Sequence, residues 1–401
     1  MTLLLIVSRS LRQHALSSCV TLISTALASG LLISVWAVKE GSQAAFTGMT
    51  GGFDAVLGAR AAKLQLVLNA VFHLETSPGN LAWQDYLEIQ QNPNVARAVP
   101  IAMGDNYRGY RLVGTTLEYF TETHPGPGPR HPVRQPGRLF DPAAREAVVG
   151  DFVARRLGLK RGDVIHPFHG LLFDEKEQHA ETYLVVGILE PTNTPADRVI
   201  WIPLEGIQTM GGHDPSAVSE ISAVLVKLKT TLAGRQLELL YNKEGARLTF
   251  AWPIGQIMAQ LFQKISWFDR VLELIAGLVA FVATGSVLAS IYNSMNERRR
   301  ELAILRALGA RRRTLFSAVV LESSAIAAAG AVVGFGVYLA ITSGVASVLR
   351  AKTGVVLDPW EFRPVLIWAP LGVILAGALA GVVPAVKAYR TPVVENLGPL
   401  S

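Results

Sequence analysis

Apolar residues fall into four long runs, with one long stretch of mixed character between the first and the second. The runs cover residues 20–38, 272–292, 315–349 and 365–386. A helix needs about 20 mostly apolar residues to cross a bilayer, so each run is predicted to be a spanning helix. As one helix the third is roughly 50 Å long; either part of it projects beyond the bilayer or it bends near Gly330, Gly334 and Gly336. In the first run Ala26-Leu27-Ala28 has the form of a signal-peptide cleavage site, but apolar residues continue over 31–38, so an uncleaved anchor is expected. Residues 3–16 mix Leu4, Leu5, Val7 and Leu11 with Arg9 and Arg12. That pattern reads as an amphipathic helix on the inner surface or as the start of a tilted first span.

Residues 39–267 carry shorter periods and read as a mixed α/β domain. Residues 183–189 and 223–228 are short apolar runs of the kind that form buried strands. Residues 83–91 and 232–241 have helical spacing. Residues 151–157 form a short predicted helix with Asp151 as its cap and Gly158 as its stop. Residues 160–163 then turn into a strand at Val164-Ile165; the Arg-Gly-Asp within that turn reads as turn chemistry, not as an adhesion signal. Residues 123–136 are rich in Pro and Gly and are expected to be a loop between two subdomains. The expected domains are 1–38, 39–267 and 268–401.

Composition agrees with lipid immersion: 50% of the 401 residues are hydrophobic and only 17% are charged, against about 25% in soluble domains. The positive charge sets the orientation. Arg9, Arg12, Arg298, Arg299, Arg300, Arg306, Arg311, Arg312, Arg313, Lys387 and Arg390 flank the spans on one side; only Arg350, Lys352 and Arg363 occupy the short loop opposite. Both ends of the sequence and the arginine loop are therefore expected to be cytoplasmic, and residues 39–267 to lie outside. The net charge of +6 is explained by this clustering, and no nucleic-acid partner is expected. Cys19 is the single cysteine, so neither an intrachain disulfide nor a cysteine zinc site can form.

Candidate chemistry is sparse. The sequence holds no G-x-x-x-x-G-K-[ST] loop and no G-x-S-x-G or H-E-x-x-H motif, so neither P-loop ATP binding nor hydrolytic catalysis is expected in it. No metal is expected; the candidates for one are His166, His169 and His179, with Asp174 nearby, in a polar, turn-rich segment. Glu322 falls inside the third run, where a carboxylate is costly; it reads as an interhelical contact or as a residue near the interface. Gly330 and Gly334, and Gly377 and Gly381, have the spacing that lets helices approach closely. Residues 296–313 read NERRRELAILRALGARRR. On a helix Leu302, Leu305 and Leu308 form an apolar stripe, arginines cover the remainder, and Gly309 ends the pattern. Such a segment can anchor on anionic lipid or dock on a cytoplasmic partner.

The stretch from Glu297 through Arg298, Arg300, Glu301, Leu302, Leu305, Arg306 and Leu308 to Gly309 resembles the signature of FtsX-like ABC transporter permeases, a family that includes macrolide exporters, lipoprotein-release permeases and cell-division permeases. Glu322 matches a glutamate early in the family's third span. Residues 384–397 resemble the family's C-terminal pattern, and residues 154–163 are similar to the periplasmic domain of the macrolide-exporter (MacB-like) type. The resemblance implies four transmembrane helices in the bacterial inner membrane, with a mixed α/β periplasmic domain inserted between spans one and two. It implies that residues 297–309 contact an ABC ATPase, present in two copies, which binds the ATP and Mg. It implies a homodimer and mechanotransmission, moving a hydrophobic or periplasmic substrate. It leaves open a periplasmic adaptor, lipoprotein or outer-membrane channel as a further partner, and a non-transporting role in controlling a periplasmic hydrolase or sensor. Residues 193–198 have the look of a subfamily mark without a stated role.

Overall fold

The structure is a computed structural model that describes residues 15–121, 131–171, 173–212, 218–297 and 309–390, together with residues 7, 9, 12, 13, 304 and 307. In chain order the helices are α1 Ala15–Gly48, α2 Lys63–Ala70, α3 Trp83–Gln90, α4 Asp151–Leu157, α5 Leu204–Gln208, α6 Thr231–Leu239, α7 Ile254–Glu297, α8 Arg312–Thr353 and α9 Val365–Arg390. The strands are β1 Ala55–Ala59, β2 Leu81–Ala82, β3 Val95–Tyr107, β4 Tyr110–Thr115, β5 Glu146–Val149, β6 Val164–Ile165, β7 Phe168–His169, β8 Tyr183–Ile188, β9 Ile200–Pro203, β10 Glu220–Ile221, β11 Ala223–Leu228 and β12 Leu248–Ala251. The chain divides into two compact units, one of Met1–Gly41, Ile265–Ser347 and Asp358–Ser401, the other of Ser42–Lys264 and Val348–Leu357.

Each expected span lies within a longer helix, and α1, α7, α8 and α9 are the helices long and apolar enough to cross a membrane among the described residues. Helix α8 runs unbroken through Gly330, Gly334 and Gly336 for 42 residues, roughly 63 Å at 1.5 Å per residue. That is about twice the hydrocarbon thickness of a bilayer. Over residues 272–292 of α7 the buried apolar residues Ala276, Ala283, Val287 and Ile291 form one narrow stripe. On α9 the exposed Leu371, Leu375, Leu379 and Val383 recur every fourth residue, which places them on one face suited to lipid.

The other unit is built on one ten-stranded sheet, in the order β12-β1-β11-β3-β4-β9-β5-β8-β6, with β7 added to the far end of β3. Neighbours are antiparallel except β4 with β9 and β5 with β8. Both faces are covered, which is why the strands read as continuous apolar runs and not as alternating ones. Val224 and Val226 of β11 and Ile200 and Ile202 of β9 face a core that includes Tyr86 of α3, Val153 of α4 and Leu237 of α6. Ala223, Leu225 and Trp201 face the opposite core, with Phe46, Leu66 of α2, Phe72, Phe120 and Phe140. The sheet takes strands from both sides of the Pro- and Gly-rich stretch at 123–136, which leads from β4 toward β5.

Asp151 is not the cap of α4. Gly150 holds that position, with φ −62° and ψ 144°; a side chain there would meet Ala196 O at 2.7 Å. Asp151 is the first helical residue, and its fully buried carboxylate is drawn to Arg134 at 2.8 Å and to Arg155 one turn on. The two guanidiniums hold the carboxylate that the sequence pattern assigns to the backbone amides. Gly158 ends the helix in the left-handed region, with φ 71°, as a C-terminal glycine does.

His73 lies buried with its ring edge-on to Trp201. Burial, reinforced by the charges of Arg111 and Arg198, lowers its pKa to about 3. The unfolded chain binds this proton near pH 6.5 and the folded chain does not, so stability is present above pH 6.5 and falls as the pH drops toward 3. At pH 5 the loss is about 2 kcal/mol, at ~1.4 kcal/mol per unit. Thermal unfolding of the full chain against pH is expected to show this slope. In His73→Asn, a replacement that tolerates the residue's φ of +54°, the slope between pH 6.5 and 4 is expected to flatten; an unchanged slope would assign it to other groups.

Candidate functional site

The segment that carries the family resemblance begins where α7 ends. Glu297 is the last residue of α7 and is exposed. Arg298, Arg300, Glu301, Leu302, Leu305, Arg306 and Leu308 lie outside the described residues. Ile304 and Ala307 are helical and exposed, and Gly309 follows with φ +96°, a conformation that favours glycine and ends a helix. Arg311 O then accepts from Thr314 N at 2.9 Å as α8 begins.

Above this segment the four helices hold one another by small residues and a few polar contacts. A methyl group at Gly330 would stand 2.7 Å from Thr25 Cβ, and one at Gly334 2.9 Å from Ser29 Cβ. The α8 glycines therefore lie against α1. Gly30 of α1 closes the same contact from the other side, 2.7 Å from Gly334 O by the same construction; it has no partner glycine four residues away, so spacing along the sequence does not mark it. Gly377 and Gly381 of α9 lie against Ala327 and Ser323 of α8. Glu322, next to Ser323, is only 7% exposed. At one end of the helices Lys387 donates to Tyr292 Oη and lies 4.0 Å from the centre of its ring. At the other, Lys39 of α1 pairs with Glu273 of α7 at 2.6 Å, Trp36 meets Trp368 edge-on at 5.3 Å, and Tyr338 Oη donates to Pro359 O at 2.6 Å. Between them a cavity of about 130 Å³ is lined by Thr25, Leu32, Ala283, Val287, Trp368 and Gly377.

In the unit built on the ten-stranded sheet, residues 193–198 acquire a role. Asp197 is buried and accepts from Thr192 N at 3.1 Å, Thr192 Oγ1 at 2.7 Å and Asn193 N at 2.9 Å. Burial raises its pKa despite those donors. The loop so fixed carries Arg198, which lies 5.7 Å from the centre of the Phe152 ring and donates to Lys352 O near the end of α8. Burial lowers the Arg198 pKa. Next to it Gly354 turns the chain with φ +76°, and a side chain there would stand 3.0 Å from Arg198 Cδ and from Pro195 Cα. Val355 is fully buried in the core beside Trp201 and Phe140. Residues 348–357 are thereby part of this unit although the sequence places them at the end of a span. A groove of about 690 Å³ on the same unit is lined by Trp83, Leu117, Pro142, Leu204 and Val218, with Glu118 and Glu205.

The histidines separate. His166 is exposed after β6, and Asp174 lies in the turn beyond β7, where its Oδ1 accepts from Lys176 N at 3.0 Å. His169 and His179 come together, and the carboxylate beside them is Asp105 of β3, with Oδ1 3.5 Å from His169 Nδ1 and 3.1 Å from His179 Nε2. Asp105 was invisible to spacing because it is far away in sequence; only strand pairing joins it to His169.

Four membrane-length helices with an α/β domain inserted between the first and second define a multi-span membrane protein with one large domain outside the spans. The family model for the MacB-like periplasmic core domain matches residues 18–238, and that for the FtsX-like permease C-terminal matches residues 273–393. The chain belongs to the FtsX-like permeases with a MacB-like periplasmic core, a family of generally non-catalytic ABC permeases that work with a cytoplasmic ABC ATPase. Similar solved structures include the periplasmic region of MacB from Actinobacillus actinomycetemcomitans, at 12% identity over 54% of this chain and 94% of that one, with a TM-score of 0.34. Another is the extracellular domain of the noncanonic ABC-type transporter YknZ from Gram-positive bacteria, at 15% identity over 49% of this chain and 98% of that one, with a TM-score of 0.31. No curated protein matches the chain.

Proposed function

We propose that this chain is the transmembrane subunit of an inner-membrane ABC complex that works by mechanotransmission. Two copies of the chain pair with two copies of a separate ATPase, which binds the ATP and Mg. Both ends of the sequence face the cytoplasm. Closure of the ATPase dimer pushes on residues 297–309, the helices carry the displacement, and the periplasmic domains change shape or separation to export or extract a hydrophobic or periplasmic substrate. The observation that carries this reading is that α1, α7 and α8 each contribute residues to both compact units. A helix resists compression along its hydrogen-bonded axis, so a push at one end is delivered at the other. The contacts along α1, α7, α8 and α9 support movement as a bundle, since close small-residue packing has few alternative arrangements.

The test is copurification of a coexpressed ABC ATPase with the full chain in detergent. Leu305→Asp and Arg306→Glu, one on the apolar stripe and one on the basic face, are each expected to reduce the retained ATPase at least tenfold while the permease stays monodisperse. Undiminished recovery with both variants would reject residues 297–309 as the docking element.

A further inference from the structure

We propose that Asp105, His169 and His179 form a site for a divalent transition-metal ion, with zinc the ion their chemistry suits best. Three elements build it. Strand β3 changes register between Met103 and Asn106, and its last residues pair with β7, setting Asp105 directly opposite His169. The chain then turns back: His169 N donates to Glu177 O at 2.7 Å, and His179 N to Pro167 O at 2.9 Å. This hairpin returns His179 to the same carboxylate. Asn106 secures it, donating from Nδ2 to Gly170 O at 2.9 Å.

The ring of His179 is oriented from behind. Its Nδ1 lies 2.7 Å from Gly211 O; a carbonyl oxygen only accepts, so Nδ1 carries the proton. Gly211 is held in turn by its own N–H, which donates to Glu181 Oε1 at 3.0 Å. In the neutral ring Nε2 then offers a lone pair, and it points at Asp105 Oδ1, another acceptor, 3.1 Å away. His169 Nδ1 approaches the same oxygen at 3.5 Å. Two imidazole nitrogens converging on one buried carboxylate oxygen present a ligand set that a cation among them can use. In a tetrahedral shell with metal–ligand bonds of about 2.0–2.1 Å, neighbouring ligand atoms lie roughly 3.3 Å apart. One ligand atom from each residue lies within 4.8 Å of the others, and the two contacts to the carboxylate bracket that spacing. Two imidazoles and a carboxylate suit zinc, while calcium and magnesium prefer all-oxygen shells. A ligand histidine commonly donates its second ring N–H to a backbone carbonyl, which is the arrangement at Gly211. The ion would clamp the β7 hairpin to the end of β3, on the surface of the periplasmic domain, since His169 is 48% exposed.

The experiment uses the full chain, purified in detergent without a polyhistidine tag and stripped with chelator, then titrated with zinc and separately with cobalt. The expected result is one ion per chain, a visible d–d band from bound cobalt, and an affinity at least about tenfold lower in His169→Ala and in His179→Ala. His166→Ala is expected to bind as the parent does. The half-exposed position of His169 keeps that variant folded, which near-UV circular dichroism checks. The proposal is overturned if the chain takes up no stoichiometric ion, as it would if a proton on His179 balanced Asp105 instead. It is equally overturned if folded His169→Ala binds zinc as tightly as the parent.

Discussion

Trp201→Ala is expected to lower the stability of the periplasmic unit by roughly 3–5 kcal/mol, the range for removing a large buried aromatic side chain. The residue sits in β9 between β4 and β5 and is fully buried. Its ring stacks on Tyr119 at 4.3 Å and meets Phe120 and His73 edge-on at 5.7 Å. Its indole N–H donates to Ala196 O at 3.2 Å, tying the 193–198 loop to the sheet. Truncation therefore opens a cavity among rigid rings and also leaves a buried carbonyl without that donor. The central strands are too well paired to collapse into the gap. Hydrogen exchange in β4, β5 and β9, measured on the full chain, is expected to speed up together while the amides of α1 and α8 within the membrane stay protected. A loss below about 1.5 kcal/mol would mean that the surrounding rings relax far more than their packing indicates.

Val355→Asp is expected to detach residues 348–357 from the periplasmic core, at a cost of several kcal/mol for an unpaired charge in an apolar site. The effect is sharper than for a contact on the rim, because Val355 has no exposed surface and Gly354 turns the chain tightly against Pro195 and Arg198. New proteolytic cleavage within 348–364 would report the release. In the proposed mechanism the variant keeps its ATPase partner and retains ATP turnover, but the extracytoplasmic response to ATP, read by crosslinking or fluorescence between periplasmic domains, falls at least tenfold. Arg198→Ala is expected to act in the same direction and more weakly, since it removes the donor to Lys352 O and leaves Val355 in place. If Val355→Asp is cleaved as predicted and still responds fully to ATP, the end of α8 is not the route by which motion arrives.

The family resemblance rests on a segment whose side chains lie largely outside the described residues, so its role comes from sequence pattern and not from geometry. The case of the histidines is the reverse. Spacing drew attention to His166, His169 and His179 with Asp174, and folding replaced two of these four with Asp105. Local spacing reports what a turn brings together; it carries nothing about a strand that pairs from some sixty residues away. The same limit applies to Gly30, which is ordinary along α1 and becomes a contact point only when α8 lies across it, and to Asp151, which starts α4 but gives its carboxylate to two arginines instead of capping the helix.

The membrane-spanning elements were determined by the sequence alone, because lipid offers no partner for backbone amides and a long apolar run has one economical conformation. Of the strands of the sheet, β8 and β11 were legible for a related reason: burial on both sides leaves short runs of apolar residues, whereas β1, β3, β4, β5, β9 and β12 carried no such mark. Strand order, the joining of residues 348–357 to the periplasmic core, and the meeting of Asp105 with His169 and His179 were decided only by the tertiary structure. Each depends on pairings between distant segments, whose energies are set by the packed whole and are not written in any local stretch.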